Sequence, residues 1–200
     1  MVKPTTKRKK LVLFKKLETL YQQMEQAYQK HAQALGLSCR DCEDNCCTSY
    51  FHHHTYIEWS YFLYGLKQAD PEVQDYIQKQ AKQYYAQMQT SLAKNQIPNI
   101  MCPVNKDGLC ILYPYRLMIC RLHGVPNFLT LPNGKIKEFP GCFKAQSLCS
   151  SENKTLPLLN RTPFYQKLAR LEMEFLGLKK HSLSRIKLTL AEMILHPCPI

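Results

Sequence analysis

Two hundred residues suffice for one ordinary domain, or a domain with a helical attachment, and exclude a large multidomain enzyme. Hydrophobic residues make up 45% of the chain and charged residues 21%, which is globular usage rather than the charge-rich composition of a disordered chain. The formal charge of +12 is unevenly spread: residues 1–16 hold seven Lys or Arg and no acid, leaving only +5 for the other 184 positions. No stretch approaches the roughly 18 consecutive apolar residues of a membrane-spanning helix, so no membrane span is expected.

The N-terminal basic cluster (Lys3, Lys7, Arg8, Lys9 and Lys10) begins like a secretory signal, but Lys15 and Lys16 interrupt the apolar run and no small-residue cleavage site follows. A cytoplasmic, reducing environment is therefore expected. The cluster reads as a solvated arm that touches a nucleic acid or another acidic partner electrostatically, or simply frays. From Leu11 the apolar positions Leu11, Phe14, Leu17, Tyr21, Met24, Tyr28, His31 and Leu35 predict one long amphipathic helix stopped by Gly36. Ser38 to Asn45 is polar and aperiodic, a loop shaped by whatever its cysteines bind.

A second helix is predicted over about Thr55 to Leu66, with Ile57, Tyr61 and Tyr64 on one face. Asp70 before Pro71 is an N-cap and first-turn signal for a third, running through Val73, Ile77, Tyr84, Met88 and Leu92 and ending before Pro98. Residues 98–127 are broken by four prolines. Phe128 to Leu131 and Lys135 to Phe139, flanking Asn133-Gly134, predict a β-hairpin. After a Ser-rich connection from Ser147 to Thr155, Pro163 opens a helix that ends at Gly177. A last amphipathic segment is predicted over about Ser184 to Leu195.

Ten cysteines in a cytosolic chain of this size point to metal or redox chemistry. Cys39, Cys42, Cys46 and Cys47 form the spacing C-x2-C-x3-C-C, and a C-x2-C loop is short enough to turn both sulfurs onto one ion. In extended structure Cys46 and Cys47 point apart, so they serve different centres or one of them packs. With Cys102, Cys110, Cys120 and Cys142 the clustered set reaches eight, enough for two four-coordinate sites or one site with four spare thiols. The alternative, buried cysteine acting as a small hydrophobe, is at odds with Asp41, Glu43, Asp44 and Asn45 in the first loop, though it suits Cys149 and Cys198. Four thiolates around Zn2+ or a cluster carry net negative charge, which Arg40, Arg116 and Arg121 are placed in sequence to offset by donating toward sulfur. His52, His53 and His54 do not easily converge on one ion, since only His52 and His54 share a face of a strand and all three diverge on a helix, and they read instead as a loop with one or two buried or surface histidines. His123, three residues after Cys120, is the better histidine candidate, as a neighbour of the ligands more than as a ligand.

The ordered set Cys39, Cys42, Cys46, Cys47, Cys102-Pro103, Gly108-Leu109-Cys110-Ile111-Leu112-Tyr113, Arg116 and Cys120-Arg121 resembles the YkgJ-type cysteine-cluster family of zinc- or iron-chelating domains. Glu58 matches a glutamate that follows the cysteine opening in that family. The resemblance covers about residues 39–142. Here three residues rather than two separate Cys42 from Cys46, and the family's Arg-Pro is Arg116-Leu117. It implies a bound zinc ion or iron–sulfur cluster, and beside the metal a supporting set of Arg116, Arg121, Tyr113 and Glu58. Flagellin lysine N-methylases are relatives of that domain, so the resemblance also raises an iron–sulfur enzyme that modifies a protein substrate.

These readings converge on a mainly α fold with a loop-rich, metal-organised cysteine core and one small β-hairpin. The expected division is a basic arm and N-terminal helix (1–38), a cysteine-cluster metal-binding domain with inserted helices (39–146) and a C-terminal helical segment packing on it (147–200). The expected function is chelation of an iron–sulfur cluster or Zn2+ through Cys39, Cys42, Cys46, Cys47, Cys102, Cys110, Cys120 and Cys142. An iron–sulfur protein-modifying enzyme and a nucleic-acid-binding adaptor using the basic arm are the alternatives.

Overall fold

The computed structural model describes residues 7–38, 46–152 and 158–200, the side chains of residues 151 and 152 excepted. It is mainly helical, with two small sheets. The first helix, α1 (Lys7–Leu35), buries Leu13, Phe14, Leu17, Leu20, Tyr21, Met24, Ala32 and Leu35. The buried stripe is rotated from the expected one, with Leu13 and Leu20 inside and Leu11 37% exposed. Gly36 (φ +67°) closes the helix in a Schellman arrangement, in which Leu37 N–H donates to the Ala32 carbonyl at 2.8 Å and Gly36 N–H to Gln33 at 3.0 Å. The helix also starts earlier than its apolar pattern. Lys7, Arg8, Lys9 and Lys10 form its first turn, so this part of the expected arm is helical, and the rest lies outside the described residues.

Two further helices lie where the pattern puts them, α2 (Tyr56–Leu66) and α3 (Pro71–Ala93). Asp70 precedes Pro71 as expected but makes no side-chain cap hydrogen bond. Two short strands, β1 (Asn105–Lys106) and β2 (Leu109–Cys110), pair across Asp107 and Gly108, both at positive φ (52° and 83°), which is the two-residue turn that Asp-Gly favours. This hairpin adds to the single one expected. After the short α4 (Met118–Leu122), β3 (Asn127–Thr130) pairs antiparallel with β4 (Ile136–Phe139), the predicted hairpin, and parallel with β5 (Leu159–Asn160).

Two predicted segments come out differently. The Ser-rich stretch is largely α5 (Phe143–Glu152), not a connection. Ser147 and Ser150 donate to the Phe143 and Gln146 carbonyls four residues back, each at 3.0 Å, so hydroxyls that favour loops are absorbed by the helix itself. Toward the C-terminus, α6 (Thr162–Leu176) ends at Gly177 (φ +54°) as expected, but the last helix, α7, covers only Leu190–Leu195. Leu188 is instead drawn into a bridge with His53, and residues 184–187 before it have no regular structure. The Thr189-Glu192 capping box then starts α7: Glu192 N–H donates to the Thr189 hydroxyl oxygen, and Thr189 N–H donates to the Glu192 carboxylate at 2.7 Å.

The chain divides into two compact units, neither contiguous in sequence. One comprises the start of α1 with Cys47–Leu117 and Glu172–Ile200; the other comprises the rest of α1, through Cys46, with Met118–Leu171. In the first unit α7 packs along α3, where the Gln78 side-chain amide donates to the Ile194 carbonyl at 3.4 Å. Tyr115, in a 3-10 turn (Tyr113–Tyr115), lies against α2, its ring 5.1 Å from Tyr61 and 6.4 Å from Tyr64. That close approach needs Gly65, because a Cβ there would collide with the Tyr115 ring. In the second unit the buried Arg161 guanidinium donates to the Leu122 carbonyl at the end of α4 and lies 5.2 Å from the Phe139 ring centroid, tying α4 to the sheet.

Gly65→Ala separates two effects of opposite sign. Helix propensity alone would stabilise the protein by about 1 kcal/mol, whereas overpacking against Tyr115 costs about 1–3 kcal/mol. The expected net result is a lower urea midpoint, and a raised midpoint would show that Tyr115 is free to move aside.

Candidate functional site

Three of the candidate cysteines lie in the first unit on neighbouring loops. Cys47 sits in a 3-10 turn (Cys46–Thr48), not in the extended backbone expected for the Cys46-Cys47 pair. Cys102 N–H donates to the Cys47 carbonyl at 2.9 Å, joining two loops that are far apart in sequence. The Cys102 carbonyl in turn accepts from Asn105 N–H at 2.9 Å, which closes a turn around Pro103, and Asn105 is the cross-strand partner of Cys110. The adjoining β1–β2 turn is fixed by the Asn105 Oδ1, which accepts from Gly108 N–H at 3.1 Å. Cys47, Cys102 and Cys110 are all half-buried.

The surroundings of this corner are aromatic. Tyr84 of α3 is buried, and burial pushes its phenol up to about 12, with smaller contributions from Cys102, Tyr50 and Glu192. Tyr84 therefore stays a neutral hydroxyl near the Cys102 thiol. Tyr113 is 49% exposed, and the Arg116 guanidinium stacks on it at 3.7 Å, so the structure brings these two predicted residues together.

In the second unit Cys46 is exposed, while Cys120 in α4 and Cys142 before α5 are half-buried. Cys142 N–H donates to the Gly124 carbonyl at 2.9 Å, two residues beyond the end of α4. Gly141 (φ +86°) permits this approach, since a Cβ there would meet the same carbonyl. Arg121 is 8% exposed, with its guanidinium 4.2 Å from the Tyr21 ring centroid and 3.8 Å from a Glu25 carboxylate oxygen. Both partners are on α1. His123 has its pKa lowered, first by burial and then by Arg161, so it sits as neutral imidazole.

Cys39 and Cys42, together with Arg40, lie outside the described residues. Among the described residues no group of three or more His, Cys, Asp or Glu side chains is arranged to hold a metal ion. Cys149 and Cys198, expected to pack, are half-buried, and burial pushes the Cys198 thiol up. Among the described residues no helix is long and apolar enough to cross a membrane. No family model, curated protein or solved structure matches this chain.

Sequence reasoning singled out Glu58 but passed over Glu172, the other carboxylate at the start of α2. Thr55 and Glu58 have the T-x-x-E spacing of a capping box, yet the Thr55 side chain caps no backbone amide and instead donates to Glu58 Oε2 at 2.8 Å. Glu58, 3% exposed, is thus committed within the first turn of α2. The open amides are met by Glu172 of α6: Tyr56 N–H donates to its Oε1 at 2.8 Å and Ile57 N–H to its Oε2 at 2.9 Å. Burial raises the Glu172 pKa and the neighbouring Glu58 adds to the rise, while the two amides oppose it. Nothing local to Glu172 signals this role, because its partners are 116 and 115 positions away.

The three histidines fall in different settings. His52 lies edge-on to Tyr50 with ring centroids 4.6 Å apart, His54 is exposed, and His53 is buried with its pKa lowered to about 3, chiefly by burial and then by its two histidine neighbours. A buried neutral imidazole with a depressed pKa stabilises the fold fully above its unfolded value of 6.5. That contribution is lost as pH falls from 6.5 toward 3. Urea midpoints followed from about pH 7 to about pH 5 should fall in the wild type and fall less in His53→Phe; parallel slopes would show that His53 does not carry the acid sensitivity.

Proposed function

We propose that this chain is a thiolate metal-binding protein that holds Zn2+ or an iron–sulfur cluster, with ligands drawn from Cys39, Cys42, Cys46, Cys47, Cys102, Cys110, Cys120 and Cys142. The observation that carries the reading is the hydrogen bond from Cys102 N–H to the Cys47 carbonyl, continued through Asn105 to Cys110. Backbone pairing that draws cysteine-bearing loops together from distant parts of the chain is what a thiolate site needs before any metal arrives. The half-buried thiols support it, since soft sulfur donors in a partly dry setting suit zinc and iron alike.

The described cysteines do not make a three-donor group by themselves, so the reading depends on Cys39 and Cys42 completing a set. The ordered resemblance to the YkgJ-type family, from the cysteine opening through Cys102-Pro103 to Cys120-Arg121, supports the same reading. Stacked on Tyr113, Arg116 is the described cation best suited to offset thiolate charge in the first unit.

Anaerobic purification, elemental analysis and a visible spectrum on one sample test the proposal. Iron with acid-labile sulfide and absorption near about 400 nm identifies a cluster; a colourless protein with about one or two zinc ions identifies a zinc site. Cys42→Ser, Cys102→Ser and Cys120→Ser are expected to lose at least about half of the bound metal, while Cys198→Ser retains it. A metal-free wild type, or equal metal content in all four variants, overturns the reading.

A further inference from the structure

The segment that enters α2 is fastened to the C-terminal part of the first unit by a series of hydrogen bonds. His53 and Leu188 exchange both backbone hydrogen bonds, at 2.7 and 3.1 Å. His54 Nδ1 donates to the Ile186 carbonyl at 3.1 Å, and the Tyr56 hydroxyl donates to the Ser184 carbonyl at 2.8 Å. Tyr56 and Ile57 donate their amides to Glu172, and one turn later Trp59 Nε1 donates to the Met193 carbonyl at 2.8 Å. None of these contacts involves a cysteine thiol. Six residues upstream of His53, however, the same segment carries Cys47, whose carbonyl holds Cys102.

We infer that residues 172–193 act as a brace that presets the Cys47 and Cys102 loops for their ligand, with Glu172 as the positioning residue. The inference rests on the thiolate metal-binding reading and names what regulates that site. The two amides that Glu172 accepts are the first of α2 and would otherwise lack intrahelical partners. With the carboxylate in place, α2 begins at a fixed point and the loop before it has a fixed end. Without it, the loop samples more arrangements, and metal binding must supply the ordering that the brace supplied before. The coupling is reciprocal: metal held by the cysteine loops should in turn tighten the bridge between His53 and Leu188.

The test uses the full chain loaded with Co2+ under anaerobic conditions and a competing chelator. Glu172→Gln preserves the side-chain shape but loses the charge and one acceptor oxygen. It is expected to release Co2+ at roughly tenfold lower chelator concentration, equivalent to about 1.4 kcal/mol, with unchanged stoichiometry. Glu174→Gln, an exposed position on the same helix, should behave as wild type. Tyr56→Phe, which removes only the hydroxyl that holds Ser184, provides a milder variant if Glu172→Gln fails to fold. Hydrogen exchange on the wild type should show Co2+ slowing the His53 and Leu188 amides more than Leu129 and Lys137 of the β3–β4 hairpin. Wild-type affinity in both Glu172→Gln and Tyr56→Phe, or no metal-linked protection of the bridge, overturns the brace and leaves the metal reading intact. A wild type that binds no Co2+ through its thiolates overturns both.

Discussion

The first unit depends on a carboxylate that comes from far along the chain. A helix start leaves amides unsatisfied, and a buried helix start cannot leave them to water. Thr55 looks equipped to cap α2, but its hydroxyl is turned to Glu58 and the work passes to Glu172. An anionic acceptor is strongest where the helix dipole is positive, which offsets part of the cost of burying it. Placing Glu172 there obliges the chain after it to run alongside the entry to α2, and the bridge of Leu188 to His53 and the cap at Ser184 follow from that path. The C-terminal stretch is therefore kept out of the helix up to Thr189 because its backbone partners are on another segment.

The opposite electrostatic situation holds at α1. Four cations occupy its first turn with no acid among them, against the sign that the helix dipole favours. The helix persists because its stability lies in the apolar face from Leu13 to Leu35, and the terminal charges act on only one turn of eight. One of the four is also given a local setting: Lys10 Nζ donates to the Ile200 carbonyl oxygen and lies 5.9 Å from the Phe175 ring centroid. Burial lowers its pKa first, Cys198 opposes that shift, and Lys179 and Lys67 lower it further.

What the sequence disclosed follows the range of the interaction responsible. The long helices and the Asn-Gly hairpin were legible because periodicity and turn chemistry are local, as were the Gly36 and Gly177 stops. The Asp107-Gly108 hairpin carries the same kind of signal, but the prolines around it mask it. α5 was missed because Ser147 and Ser150 have two ways to satisfy a hydroxyl, and only the folded backbone decides for the helical one. The truncation of α7 was not legible at all, since it is set by His53, far upstream. For the candidate site, cysteine spacing selected the residues, and Tyr113 with Arg116 proved to be neighbours, whereas Arg121 takes up Tyr21 and Glu25, partners that no spacing rule connects to it.

The same distinction bears on how a thiolate site could form in this chain. A C-x2-C loop arranges two sulfurs by itself, but Cys102 and Cys110 have no local reason to lie near Cys47. Cys102 is tied to Cys47 by a main-chain hydrogen bond, and Cys110 is tied to the turn after Cys102 as the cross-strand partner of Asn105, in a hairpin whose turn residues accept positive φ. A scaffold that gathers the loops through the backbone does not rely on the sulfurs to hold them. Such thiols can be substituted by serine with little loss of shape but with complete loss of a soft donor, so at these positions chemistry and folding can be separated experimentally.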